Sequence, residues 1–307
     1  MIVSASRRTD IPRWYTPWLM QRLRAETVLI QNPINPKQIS RVSLSPDVVD
    51  CIVFWSKDPF PLLPHLDEIN RMGHSFYFQF TITPYEKDME TNLRSKNEIA
   101  ATLIELSERW GKERIVWRYD PILFTSTYTE SWHKRQFEAY CRKFRGAVDT
   151  VTISFVDTYS KIARLNLLPV SSEQMNRMAA FCGEAAKAYG MRITACAEAG
   201  DYTAYGVNRA ACIDRERIEK ILGCPLKLSR DLNQRPGCGC FQSVDIGIYN
   251  SCANGCQYCY ANMSAAHAKA RMLLHDPAGE MLLGTPQGNI KDKRIESCKI
   301  QQLEWIF

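Results

Sequence analysis

Histidine is scarce in this chain. The five in 307 residues, His65, His74, His133, His267 and His275, form no metal-ligand spacing, so a histidine-built metal centre has no support. No phosphate loop, dinucleotide fingerprint or Ser-His-Asp arrangement stands in a supporting context. Long apolar runs are missing too, which excludes a bilayer-spanning helix. The stretch from Met1 to Asp10 reaches charged residues after a few apolar positions, so it lacks the apolar core of a secretory signal. A cytoplasmic protein with no membrane attachment is the expectation. There is no internal repeat or low-complexity tract. The charge excess is small, 39 Lys+Arg over 33 Asp+Glu for a net +6, enough to help an anionic substrate approach but not to demand nucleic acid. A hydrophobic content of 45% supports a buried core in one large α/β domain or two small ones.

Cysteine, by contrast, is abundant. Twelve in a cytoplasmic chain point to metal or catalysis for some of them, because reducing buffers disfavour disulfides there. Cys51, Cys141, Cys182, Cys224 and Cys298 are scattered and read as small buried hydrophobes. The other seven crowd between Cys196 and Cys259.

Seven short β-rich segments recur: Ile2–Ser6, Cys51–Trp55, Phe76–Thr83, Ile115–Asp120, Val151–Val156, Arg192–Glu198 and Val244–Tyr249. Helical patterns separate most of them. Residues 96–110 and 172–189 carry apolar positions at helical spacing with Gly111 and Gly190 as stops, and Pro12, Pro59 and Pro61 fit helix starts. Such alternation implies parallel strands joined by crossover helices. Each strand has one apolar and one polar face: Phe76, Phe78 and Phe80 against Tyr77, Gln79 and Thr81, and Trp117 and Tyr119 against Arg118 and Asp120. The expectation is an α/β fold, a parallel (β/α) partial TIM-type barrel of six or seven strands, whose polar lumen holds a ligand. A barrel body over 1–235, a cysteine-bearing strand, loop and helix over 236–275, and a capping segment over 276–307 make up the expected organisation.

The run Cys252-Ala-Asn-Gly-Cys256-Gln-Tyr-Cys259 follows an apolar strand and precedes a helical pattern through Ala265, Ala266, Ala268 and Ala270. Asn254-Gly255 lets the loop turn sharply. Thiolates bind zinc and iron-sulfur clusters alike, but structural zinc closes with four ligands, and a local trio leaves one position open.

Cys-x3-Cys-x2-Cys after a barrel strand, with Tyr258 before the last cysteine, resembles the radical S-adenosylmethionine (SAM) superfamily. That resemblance implies a [4Fe-4S] cluster on Cys252, Cys256 and Cys259, with SAM on the fourth iron, Tyr258 against the adenine, and a 5'-deoxyadenosyl radical abstracting hydrogen from a substrate. Ser6-x-x-Thr9-Asp10, Phe54-Trp-Ser-Lys57 and Thr81-Ile-Thr83 followed by Glu90 resemble successive strand ends of spore photoproduct lyase-like members. Across most of residues 1–263 the chain looks like the uncharacterised family of domain of unknown function 1848, through Trp117-Arg118-Tyr-Asp120-Pro121, Cys238-Gly-Cys240 and Tyr258-Cys-Tyr-Ala-Asn262. The motif follows the last recognisable strand instead of the first, so the resemblance implies a circular permutation placing that strand ahead of Ile2–Ser6. It also implies SAM contacts at Ser6, Thr9, Asp10, Thr81, Thr83, Arg118 and Ser154, and an electron donor such as flavodoxin or ferredoxin. A Gly-Gly-Glu segment expected to take the methionyl amino group is absent, and Thr9-Asp10 would have to stand in. Ser6, Thr9, Asp10 and Thr81 equally fit helix caps and core hydroxyls.

Cys196, Cys212, Cys238 and Cys240 could complete a second Fe-S cluster, form a zinc site, or remain buried thiols with a stray pair. Lys57, Arg118, Asp120 and Glu198 fall at strand ends, where barrel enzymes keep their chemistry, although Arg118 with Asp120 or Glu198 equally reads as an internal ion pair. Two rival functions stay open, a zinc-stapled binding protein and an electron-transfer protein that ignores SAM. The substrate is not legible; a nucleic-acid base is one candidate beside small molecules.

Overall fold

A computed structural model describes residues 1–300 other than Thr158 and Pro236. The boundary expected at 236 and the last seven residues of the expected 276–307 segment lie outside the described residues. In chain order the elements are β1 (Ile2–Ala5), α1 (Ile11–Trp14), α2 (Thr16–Arg24), β2 (Thr27–Gln31), β3 (Gln38–Ser43), β4 (Cys51–Ser56), α3 (Leu66–Arg71), β5 (Phe76–Thr81), α4 (Lys96–Trp110) and β6 (Ile115–Ile122). They continue with α5 (Glu130–Lys143), β7 (Thr150–Phe155), α6 (Ser172–Ala188), β8 (Arg192–Ala195), β9 (Val207–Arg209), α7 (Arg215–Leu222), β10 (Val244–Asp245), α8 (Ala265–Met272) and β11 (Asn289–Lys293).

Eight strands form one sheet in the order β10-β1-β4-β5-β6-β7-β8-β9, and every neighbouring pair is parallel. The last of them in sequence, β10, lies beside the first, Val3 opposite Val244 and Ser4 opposite Asp245, which is the adjacency a permuted order requires. One expectation is corrected: the sheet has eight strands, not six or seven, because β9 adds a three-residue edge too short to carry a periodic signal. No ladder joins β9 to β10 among the described residues, which the expected partial barrel allows. A second sheet, β11-β3-β2, was not anticipated. In β3 the fully buried residues are Ile39 and Val42, three apart, and that spacing hides the strand period of two.

The apolar strand faces are covered by helices. Phe54, Phe78, Phe80, Trp117, Tyr119 and Ile153 pack with Leu103 of α4, Phe137 of α5 and Met178 of α6 in one core. Trp117 stacks on Phe137 with centroids 5.3 Å apart. Helix ends follow local chemistry. Ser95 and Glu98 form a reciprocal capping box on α4, worth about 1 kcal/mol, and Gly111 ends it at φ +87°. Of the five scattered cysteines, Cys51, Cys141 and Cys182 are fully buried, while Cys224 and Cys298 are half-buried and so are not core residues.

The polar face is only partly free for a ligand. The segment after β9 folds back under it, packing Cys212, Ile213, Ile218, Leu226 and Phe241 against Ile2, Val53 and Tyr77. Tyr77 Oη and Gln79 Nε2 both donate to the Cys212 carbonyl, at 2.7 and 2.8 Å. These two polar side chains therefore satisfy a buried backbone group, and the polar layer left above them is formed by the carboxyl ends of the strands. The later chain closes the opposite end. Ser297 Oγ and the Cys298 amide donate to Asp50 at 2.5 and 2.8 Å, beside the Met1 amino group, which also pairs with Asp50.

Candidate functional site

The loop bearing Cys252, Cys256 and Cys259 leaves the carboxyl end of β10 and is fastened on every side. Tyr15 Oη donates to the Ser251 carbonyl at 2.5 Å, Asn262 Nδ2 to the Cys252 carbonyl at 2.6 Å, and Lys161 Nζ to the Cys259 carbonyl at 2.6 Å. Asn92 donates from its amide to the Asn254 carbonyl and from Nδ2 to the Ala253 carbonyl, at 3.1 and 2.8 Å. The turn itself depends on Gly255 at φ +74°, where a Cβ would lie 3.1 Å from Asn92 Nδ2 and 3.2 Å from the Thr91 Cβ. Burial pushes Cys252 up to about 12 and Cys256 well above its ordinary value. Both are therefore neutral thiols unless a metal displaces their protons.

Asp10 anchors this loop to two neighbouring strand ends. Its carboxylate accepts from Ser56 Oγ at 2.6 Å, the Lys57 amide at 2.9 Å, Asn254 Nδ2 at 2.8 Å and the Arg13 amide at 3.2 Å, the last capping α1. Burial raises its pKa against those hydrogen bonds. Trp14 Nε1 completes the hold on Asn254 by donating to Oδ1 at 2.7 Å. Asp245 does similar work between β10 and β1, accepting from Ser4 Oγ at 2.9 Å, Ser6 Oγ at 2.6 Å, and the amides of Arg7 and Gly247 at 2.9 and 3.0 Å. Ser6 is thus committed to a carboxylate. Thr9 Oγ1 is buried without a hydrogen-bond partner among the described residues. Thr81 ends β5, half-buried.

Beneath the loop lies a charged nest. Glu90 is fully buried and accepts from Thr83 Oγ1 and Lys57 Nζ, both at 2.7 Å, and from Lys96 Nζ and Tyr258 Oη. Burial would raise its pKa, but Lys57 and Lys96 outweigh burial and hold it down to about 2. Lys57 Nζ also stands 5.5 Å from the Tyr258 ring centroid. Tyr258 is therefore oriented by an ion network on one side and packed with Tyr85, Met89 and Tyr128 on the other.

Across the sheet, Arg118 pairs with Asp120, whose other oxygen accepts from Ser154, so the internal ion pair foreseen as an alternative is present. Arg118 Nη1 also donates to Gln79 Oε1 at 3.2 Å and to Cys212 Sγ at 2.9 Å. Glu198 accepts from the Phe155 amide at 2.8 Å instead of joining that pair; burial and the nearby Asp157 and Asp120 raise its pKa to about 7. The four remaining cysteines converge here. Cys196 and Cys212 sulfurs are 3.4 Å apart, and Cys238 and Cys240 pack in the same cluster. A cleft of about 520 Å³ lined by Leu23, Arg24, Pro46, Glu68 and His74 lies near the amino ends of β4 and β5, away from all of these cysteines.

The chain matches, over residues 2–261, the family described as domain of unknown function (DUF1848). It belongs to that family. No curated protein matches it. Among solved structures it is similar to a candidate alpha-L-fucosidase from Bacteroides thetaiotaomicron, at 11% identity, covering 58% of this chain and 73% of that one with a TM-score of 0.22. That likeness is too slight to inform fold or function. Among the described residues no helix is long and apolar enough to cross a membrane.

Three residues of this DUF1848 site escaped sequence reading. Lys96 reaches Glu90 from the start of α4, where a lysine reads as a solvated helix residue. Asn254 was read for its turn and not for its amide, and Asp245 sits in a two-residue strand. Long-range pairing is the only signal that exposes them.

Proposed function

We propose that this protein is a radical SAM enzyme, with Cys252, Cys256 and Cys259 holding a [4Fe-4S] cluster. The observation that carries this reading is that three cysteines share one tightly fastened loop at the carboxyl end of a parallel sheet, the face where such folds keep their chemistry. The residues present suit that group. All three thiols come from one loop, the donor set is all sulfur, and a trio of ligands would leave one iron open to an exogenous chelator. When bound by these cysteines, such a cluster would supply one-electron reductive chemistry to SAM and, through it, radical hydrogen abstraction from a substrate.

The side chains of this protein supply position and charge. Asp10 locks the loop against β1 and β4, and the Glu90–Lys57–Lys96 network fixes Tyr258, the residue proposed to meet the adenine, beside the cysteines. Thr9 Oγ1 is a free donor for a polar ligand next to the same loop. Glu198, with a pKa near neutrality, can hold or release a proton at the sheet's carboxyl end. The electron donor is proposed to be a flavodoxin or ferredoxin and the setting cytoplasmic; the substrate class stays open.

The test is 5'-deoxyadenosine formation from SAM under dithionite. The reconstituted wild-type protein forms it, and Cys256→Ala stays folded but does not. Equal product from both proteins would overturn the assignment.

A further inference from the structure

We propose that Cys196, Cys212, Cys238 and Cys240 bind a single thiophilic metal ion of the zinc type, separate from the cluster loop and independent of the radical reading. Three separate stretches of chain meet at one place: Cys196 follows β8, Cys212 follows β9, and Cys238 and Cys240 come from the segment before β10. The Cys196 and Cys212 sulfurs are 3.4 Å apart, Cys240 Sγ accepts from the amide of Ile213, next to Cys212, at 3.5 Å, and all four cysteines pack in one cluster. A tetrahedral ion with metal–sulfur bonds of about 2.3 Å spaces its sulfurs by about 3.8 Å. An iron-sulfur cluster puts each thiolate on a different iron and spreads them further, so the spacing favours a single ion.

The backbone is shaped for this meeting. A Cβ at Gly239 would sit 2.6 Å from the Ala210 carbonyl oxygen, so only glycine lets the Cys-Gly-Cys turn approach the β9 end this closely, and Gly237 turns at φ +79°. No three of the four sulfurs surround one point as the side chains stand. Closing the shell takes side-chain rotation.

The surrounding charge fits an anionic centre. Four thiolates around a divalent ion carry a net charge of −2. Arg118 donates to Cys212 Sγ at 2.9 Å while pairing with Asp120. Arg7 lies within electrostatic reach of Cys240, Cys212 and Cys238, and its Nη2 is buried without a hydrogen-bond partner. Neutral thiols are weak acceptors for two guanidinium groups, whereas metal-bound thiolates satisfy both.

The experiment is metal and sulfide analysis of the full-length protein purified from zinc-supplemented cells, with Cys256→Ala and Cys212→Ser alongside. Expected is one zinc per chain in wild type and in Cys256→Ala, the latter having lost its iron, and loss of zinc in Cys212→Ser. Absence of zinc from wild type, about eight irons and sulfides without zinc, or full zinc retention by Cys212→Ser would overturn the proposal. Should Cys212→Ser fail to accumulate, cobalt added to metal-depleted wild type decides instead. Thiolate-to-cobalt charge-transfer bands with tetrahedral d–d intensity support the site, and their absence overturns it. Loss of 5'-deoxyadenosine formation with zinc intact would count against the radical reading alone.

Discussion

Asp10→Ala is the substitution that most sharply probes how the cysteine loop is held. It strips the acceptor from four donors: Ser56 Oγ, the Lys57 amide, Asn254 Nδ2 and the Arg13 amide. The bonds from Ser56 and Asn254 are buried while those from the Lys57 and Arg13 amides are only partly so, so two buried donors are left unpaired, each costing about 1–3 kcal/mol, and the lost cap on α1 adds about 1 kcal/mol. Against this stands relief from burying a carboxylate, which its raised pKa records. The net expectation is a loss of about 3–5 kcal/mol. Asp10→Asn keeps one acceptor oxygen and much of the shape, and is expected to cost about 1–2 kcal/mol. Urea titration followed by circular dichroism measures both, with the midpoint falling at constant slope. A loss below about 1 kcal/mol for Asp10→Ala, or equal losses for the two variants, would refute the reasoning that this carboxylate joins the loop to the strand ends.

Three further outcomes are expected. Glu90 has its pKa lowered to about 2, so its contribution to stability is present above about 4.5 and is lost as pH falls towards 2; Glu90→Gln therefore flattens the acid limb of the stability profile, as acid unfolding monitored by fluorescence shows. Glu198 has the opposite sign. Its pKa is raised to about 7, so its contribution is present below about 4.5 and disappears as pH rises through 7, and Glu198→Gln, which can still accept from the Phe155 amide, gains about 1–2 kcal/mol over wild type above pH 7 after allowance for partial solvent screening. Gly255→Ala forces a side chain into a left-handed turn with Asn92 Nδ2 only 3.1 Å away, and a destabilisation of about 1–3 kcal/mol by urea titration is expected, with unchanged stability contradicting it.

The legible part of the fold was the part governed by local period. Strands such as Phe76–Thr81 and Ile115–Ile122 announced themselves by alternation, and their apolar faces indeed lie under the helices. The neighbour relation between β10 and β1 followed from where the cysteine motif stands in the chain. What escaped was short or non-periodic: the three residues of β9, and the β2–β3 pair with its buried Ile39 and Val42. Tyr77 and Gln79 were placed on the correct face but assigned to a ligand, because nothing local reveals that the Cys212 carbonyl comes back to meet them. The site divided in the same way. Residue types and spacing located the three cysteines on one loop, whereas the Asp10–Asn254 link, the Lys96–Glu90 pair and the Asp245 buckle depend on contacts between elements far apart in sequence.

Electron paramagnetic resonance of the anaerobically reconstituted, dithionite-reduced protein, recorded with and without SAM, tests the central claim most directly. The account predicts a reduced [4Fe-4S] signal that changes on adding SAM and is abolished in the variant lacking Cys256. A protein with no cluster signal, or with one that SAM leaves unaltered, would contradict it.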